Sequence, residues 1–223
     1  MTTQETAHPA NTTPHQVLSR LAGLAMIATV VFVILGNEPV VQDFFDQSLN
    51  EEQKLQILLD AGDEWDRANT MWAIAGIMTA AGFALWAVAI HLGRADRTAK
   101  RAATVGAISA TLGAVAWVYV SLWRAAGPPA EVAAGVSGLV LLAWALLVMV
   151  AVGLVGWTLR RAEMRLRGWV LIVIGVLFVP IGTILPATVV FPVALTGLIL
   201  LLIPSRQWES RLPITKTDPP ASI

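Results

Sequence analysis

The 223-residue chain contains no cysteine, which excludes disulfides, thiolate metal sites, iron–sulfur ligation and S-palmitoylation in any compartment. Charge is scarce as well. Asp, Glu, Lys and Arg make up 13% of the residues, against about a quarter in soluble domains. Scarcest of all are ionisable groups within the apolar runs: no Asp, Glu or Lys falls at mid-run, and His91 and Arg124 lie near run ends. This argues against a proton- or sodium-driven pump that uses a buried carboxylate, and against a retinal protein, which needs a buried lysine. His8 and His15 lie in the N-terminal tail, so the chain has no histidine pair at membrane depth to ligate a haem. No nucleophile–base pair, metal triad or cofactor signature is found, so no catalytic residue, metal or cofactor is expected.

What the chain has in abundance is apolar sequence. The residues AVILMFWYC account for 56% of it, and the mean hydropathy is +0.68. They come in blocks that reach the 18 to 20 or so residues needed to cross a hydrocarbon core, and the blocks are apolar nearly all round rather than on one face. The predicted fold is an all-α membrane protein: a polytopic bundle of six transmembrane helices plus one short amphipathic helix in the first outer loop. The spans are expected at about 17–36, 69–92, 102–123, 132–159, 169–185 and 189–203, within a membrane domain over 17–204. Residues 1–16 and 205–223 read as disordered tails. The first block ends in Leu35-Gly36-Asn37-Glu38-Pro39 without a small-x-small cleavage pattern, which favours an uncleaved span over a signal peptide. The stretch 168–203 is too long for one crossing, so Pro186 and Pro192 are read as bracketing a turn, and Pro180 predicts a kink in the fifth span.

Orientation follows from arginine and lysine. Arg20, Arg94, Arg97, Lys100, Arg101, Arg160, Arg161, Arg165, Arg167, Arg206, Arg211 and Lys216 fall on one side of a six-span layout, and only Lys54, Arg67 and Arg124 on the other. Positively charged loops stay in the cytoplasm, so both termini are expected there, with the chain multi-pass in the cell (inner) membrane. In composition it resembles small bacterial membrane proteins rich in alanine, valine and arginine, a likeness that carries no functional residues. Trp65, Trp123, Trp169 and Trp208 fall near the predicted interfaces, where indoles anchor.

The outer loop, 37–68, is acidic. Ser48-Leu49-Asn50-Glu51 reads as a helix start, with Asn50 and Gln53 as an overlapping register. Leu55, Leu58, Leu59 and Gly62 then share a face that should turn towards the bundle or the lipid, with Phe44 and Phe45 dipping into the interface. Asp60, Asp63, Glu64 and Asp66 are either a solvated, arginine-poor segment or a cation vestibule; their spacing fits no EF-hand, and solvation is the simpler account.

The polar residues at membrane depth form a thin seam. Asn69, Trp72, Gly76, Thr79, Phe83 and Trp86 share one face of the second span, and Tyr119, Trp123 and Arg124 gather at the outer end of the third. Arg124 has candidate partners in Glu131, Asp66 and Glu38. The candidate ligand-binding set is therefore Asp66, Asn69, Trp72, Tyr119, Trp123 and Arg124, an outward-facing pocket with aromatic walls; the alternative is interhelix packing with a rim salt bridge. Small residues every four positions (Ala102/Gly106/Ala110/Ala114, Ala103/Ala107/Thr111, Ala134/Gly138) predict close packing, with the third span at the centre of the bundle. Leu92-Gly93-Arg94-Ala95-Asp96 and Leu159-Arg160-Arg161-Ala162-Glu163 echo one another 67 residues apart, from a duplicated hairpin or from convergence on arginine-rich loops. The expected function is binding or transport of a small apolar or amphipathic molecule through the outward-facing pocket; the alternative is an accessory or structural subunit packed on a larger membrane complex. The expected partners are the lipid bilayer, such a ligand, and a membrane-protein partner or second copy. No nucleic acid is expected, because the basic loops are short.

Overall fold

The computed structural model describes residues 13–40, 48–93, 95–125, 130–184 and 186–203. Among these there is no strand. The helices are α1 (Pro14–Leu35), α2 (Glu51–Asp60), α3 (Gly62–Leu92), α4 (Arg97–Ala125), α5 (Ala130–Arg161), α6 (Arg165–Ile184) and α7 (Val190–Leu201), with a 3-10 turn over Pro186–Val189 before α7. Four helical stretches, Pro14–Leu35, Gly62–Leu92, Arg97–Ala125 and Gly138–Arg161, are long and apolar enough to cross a membrane.

Most of these helices are longer than the sequence predicts, for local reasons. α1 starts at Pro14 inside the expected tail, because proline suits a first helical turn and Gln16 Oε1 accepts from the Thr13 N–H at 3.3 Å. α3 starts at Gly62 rather than residue 69. Asp63 and Glu64 favour a helix N-terminus, and Trp65, Ala68 and Asn69 bury one face of the added two turns. α2 takes the Asn50 register: Gln53 N–H donates to Asn50 Oδ1 and Asn50 N–H to Gln53 Oε1, both at 2.9 Å. Of its apolar residues, Ile57 packs on the cluster of Val40, Trp65 and Ala68, while Leu59 is exposed. Phe44, Phe45 and the side chains of Leu55 and Leu58 lie outside the described residues. α6 runs through Pro180 to Ile184, and the sixth predicted span becomes the 3-10 turn plus the twelve residues of α7.

The six larger helices pack as a ring, each lying antiparallel to its neighbours. α1 lies against α3 and α7, α3 against α4, α4 against α5, and α5 against α6. Glycines sit where helix axes come closest. A Cβ on Gly23 would stand 2.6 Å from the carbonyl oxygen of Gly197, and one on Gly156 would stand 2.7 Å from that of Gly168. In a bilayer, such backbone-to-backbone approach supplies the association energy that apolar burial supplies in water. Of the small residues expected to pack on α4, Gly106 meets Ala151 and Leu154, and Ala103, Ala110 and Ala114 are buried; Gly113, outside those rows, meets Trp144 and Leu147. One expectation changes: α4 is a member of the ring rather than its centre. Among the described residues nothing lies within 4 Å of a Cβ on Gly138, and the side chain of Ala134 lies outside them.

The echoed corners also differ from one another. Asp96 caps α4, its Oδ1 accepting from Ala99 N–H at 2.6 Å. Glu163 instead ends α5 with φ 62°, while Met164 N–H reaches Leu159 O at 3.0 Å and Glu163 N–H reaches Arg160 O at 3.2 Å, the paired bonds of a Schellman turn. The two corners are joined by Asp96 and Arg161, 3.7 Å apart.

Candidate functional site

Charge burial in a helical bundle is rare enough that one buried arginine locates the site. Arg124, 1% exposed, is the buried charged side chain among the described residues, and it stands in the last turn of α4. Residues 117, 121 and 124 recur at helical spacing, so Trp117, Ser121 and Arg124 share one face of α4; Trp65, Asn69 and Trp72 share one face of α3 by the same rule. The two faces meet. Trp65 Nε1 donates to Arg124 O at 3.2 Å, and Trp117 Nε1 donates to Trp72 O at 3.0 Å.

The guanidinium carbon of Arg124 lies 5.1 Å from the Trp72 ring centroid, 5.2 Å from Trp117 and 6.0 Å from Trp65. A desolvated cation over an indole gains about 2 kcal/mol or more, so three indoles offset a substantial part of the several kcal/mol that burial of the charge costs. The aromatic wall continues across the ring of helices. Trp72 and Trp117 lie 5.4 Å apart at 31°, and Trp117 and Trp144 stack 5.5 Å apart at 25°. Two glycines make room for it: a Cβ on Gly36 would overlap Trp72 Cδ1, and one on Gly76 would stand 3.1 Å from Trp117 Cδ1.

Around this charge lie polar atoms with unused hydrogen-bonding capacity. Asn69 Nδ2 donates to Trp65 O at 2.9 Å, but Asn69 Oδ1 has no partner among the described residues; nor do Trp72 Nε1, Ser121 Oγ and Trp144 Nε1. A buried polar group left unsatisfied costs about 1–3 kcal/mol. Polar pairs deeper in the bundle are satisfied by contrast. Thr29 Oγ1 and Thr79 Oγ1 lie 3.2 Å apart, and Thr79 also donates to Ala75 O and Thr29 to Ala25 O. Ser19 Oγ, near the start of α1, is also without a hydrogen-bond partner among the described residues, but Asn69, Trp72 and Ser121 gather such atoms beside one buried charge.

Of the six candidate residues, the structure brings together Asn69, Trp72 and Arg124. Trp123 is half-buried and packs beside Trp65 and Ala68. Asp66 is exposed, and Tyr119, 69% exposed, faces away from the ring. Glu38 pairs with Arg67 at 3.1 Å, and the expected Glu131 contact lies outside the described side chains. Three further members, Trp65, Trp117 and Ser121, were readable from their spacing about Asn69 and Arg124. Trp65 is buried in the cage instead of anchoring at a lipid interface. Asp60, Asp63 and Glu64 are exposed, and the described residues hold no cluster of three metal-ligating side chains.

The class defined by this fold is an all-helical, membrane-type protein with a buried cationic layer near one end of the bundle. No protein-family model, curated protein or solved structure matches the chain.

Proposed function

We propose that the chain is a six-span membrane protein, with both termini cytoplasmic in a bacterial inner membrane, that binds a small amphipathic molecule at its outer end. Its ligand presents a hydrogen-bonding head to Asn69, Ser121, Trp72 and Arg124 and an apolar body to the indoles. The observation that carries the reading is the layer of buried polar atoms without partners among the described residues (Asn69 Oδ1, Trp72 Nε1, Ser121 Oγ) beside a caged guanidinium. One open hydroxyl, such as Ser19 Oγ, is ordinary in a folded chain, whereas three open groups beside one buried charge have a use if an incoming molecule fills them.

Six crossings are supported by the antiparallel alternation around the ring. It brings the start of α1, the two arginine-rich corners and the end of α7 to one end. The twenty residues of α6 reach about 30 Å, and the 3-10 turn with α7 about 26 Å, close to the ~30 Å of a hydrocarbon core. Topology is tested by reporter fusions at Asp96, Glu163 and the C-terminus: cytoplasmic signals support it, and an external signal at any of the three overturns it.

Binding is tested on the purified chain in detergent by thermal unfolding against a panel of amphipathic carboxylates and amides. A ligand at a hundredfold excess over its Kd stabilises by about 2.7 kcal/mol, and Ser121→Ala should reduce that shift. If no compound raises the midpoint and the chain purifies in a fixed ratio with another membrane protein, the accessory-subunit reading takes its place.

A further inference from the structure

Far from Arg124, the first turns of α4 border two recesses that meet at Arg101 and Val105. One is an apolar groove of about 720 Å³ between α4, α5 and α6, walled by Val105, Val150, Leu154, Trp157, Val176 and Val179. Val105, Val150 and Val176 are exposed, so the groove opens sideways, towards lipid in an embedded chain. The other recess, about 780 Å³, is basic and is lined by Arg97, Lys100, Arg101, His91 and Thr104.

Among the described residues no carboxylate lines either recess. The acid nearest in sequence, Asp96, is engaged by Ala99 N–H and faces Arg161 at 3.7 Å. Arg161 also lies over Trp157, 4.9 Å from its centroid, which adds a cation where the groove meets the basic end. Along α5 the groove runs from Trp157 to Met149, eight residues or about 12 Å, close to half of a ~30 Å hydrocarbon core. An apolar trough one leaflet deep therefore ends in three cations.

We propose that this paired recess seats one anionic phospholipid, its phosphate on Arg97, Lys100 and Arg101 and an acyl chain in the groove. Charge complementarity selects the occupant: cationic side chains between helices at a membrane face attract anionic headgroups, whereas the ammonium of a zwitterionic lipid would meet them unfavourably. The proposal shares with the outer-end reading only that the helices lie in lipid. Its variants sit at the other end of the bundle, so either can fail alone.

The full chain is reconstituted in equal parts phosphatidylglycerol and phosphatidylcholine, extracted in detergent, and the retained lipid is counted by native mass spectrometry. Phosphatidylglycerol should be retained over phosphatidylcholine. Lys100→Gln with Arg101→Gln should lower its retention about fivefold per charge removed. Arg101→Lys should keep it, and Val150→Trp, which fills the groove without altering charge, should lower it. Arg101 is exposed and Lys100 half-buried, and neither has a carboxylate partner among the described residues, so unfolding of the glutamine and lysine variants in phosphatidylcholine alone should be unchanged. Equal retention of the two lipids, full retention by the double glutamine variant or by Val150→Trp, or displacement by millimolar inorganic phosphate would each overturn the proposal.

Discussion

Adding one methyl group to Gly36 should destabilise the protein, and the same methyl should cost markedly less once Trp72 is trimmed. Gly36 follows α1 with φ −87° and ψ 0°, a conformation alanine adopts freely, so Gly36→Ala adds no backbone strain. Reduced freedom of the unfolded chain should by itself favour the variant by about 0.4–1 kcal/mol. Against this stands a collision. The new Cβ would overlap Trp72 Cδ1, lie 2.6 Å from Trp72 Nε1 and lie 2.9 Å from the carbonyl oxygen of Ala68. Trp72 has little room to retreat, because Trp117 lies at 5.4 Å and the Arg124 guanidinium at 5.1 Å on its ring. Overpacking of this kind costs about 1–3 kcal/mol, so the net loss should be about 1–2 kcal/mol. In a Trp72→Leu background the smaller, flexible side chain can swing aside while the Ala68 carbonyl stays, so Gly36→Ala should cost about 1 kcal/mol less than in the wild type. The assay is a double-mutant cycle by equilibrium unfolding in mixed micelles, where residues in contact couple by about 0.5–3 kcal/mol. Additive effects would show that Trp72 is not wedged between Gly36 and the cage, and the packing argument for the site would fail with it.

Three further outcomes follow from the packing and the turns. Glu163→Gly should raise stability by about 1 kcal/mol, because a residue with a Cβ at φ 62° carries a penalty that glycine lacks; thermal unfolding reads the gain directly. Gly23→Ala should lower stability by about 1–3 kcal/mol, because its Cβ meets the Gly197 carbonyl, which is backbone and cannot swing away. Engineered cysteine pairs between α1 and α7, introduced in a chain that has none of its own, should then cross-link more slowly. Thr29→Val should cost only about 0.6 kcal/mol, the usual worth of an inter-helix hydrogen bond in a membrane protein, since Thr79 keeps its bond to Ala75 O. A loss above 2 kcal/mol would show that the hydroxyl pair carries more of the α1–α3 contact than its geometry implies.

The helices were legible because hydropathy and proline are local signals, and their ends were less so because packing sets them. In residues 62–68 only Asp63 and Glu64 hint at a helix start, and those acids equally suit a solvated loop. The segment becomes helical because Trp65 and Ala68 bury against a cluster that includes Val40 and Ile57, contacts from distant parts of the chain. The site divides in the same way. Asn69, Trp72 and Arg124 could be read from one helix face and from the rarity of charge at depth. Tyr119 resembled a member by sequence proximity to Arg124, yet five residues along a helix turn a side chain by about 500°, some 140° beyond a full turn, away from the cage. Trp117, at seven residues, returns to the Arg124 face. Periodicity applied to α4 as strictly as to α3 would have found it.

Whether the open hydrogen-bonding layer is a site or an accident of packing can be decided without knowing the ligand. Ser121 is fully buried, and its Oγ has no partner among the described residues. Serine and alanine differ by that oxygen alone, so Ser121→Ala removes a desolvated hydroxyl and creates almost no cavity. An unsatisfied buried hydroxyl costs about 1–3 kcal/mol, so in the ligand-free protein the alanine variant should be the more stable, by about 1 kcal/mol. A stabilising alanine shows that the hydroxyl stands open in the ligand-free protein, as a group that meets a ligand must. Comparative unfolding of wild type and Ser121→Ala in lipid-free detergent gives the sign. If alanine lowers stability, the hydroxyl is already satisfied within the folded chain, and Arg124 with its indoles is a structural clamp rather than a receptor.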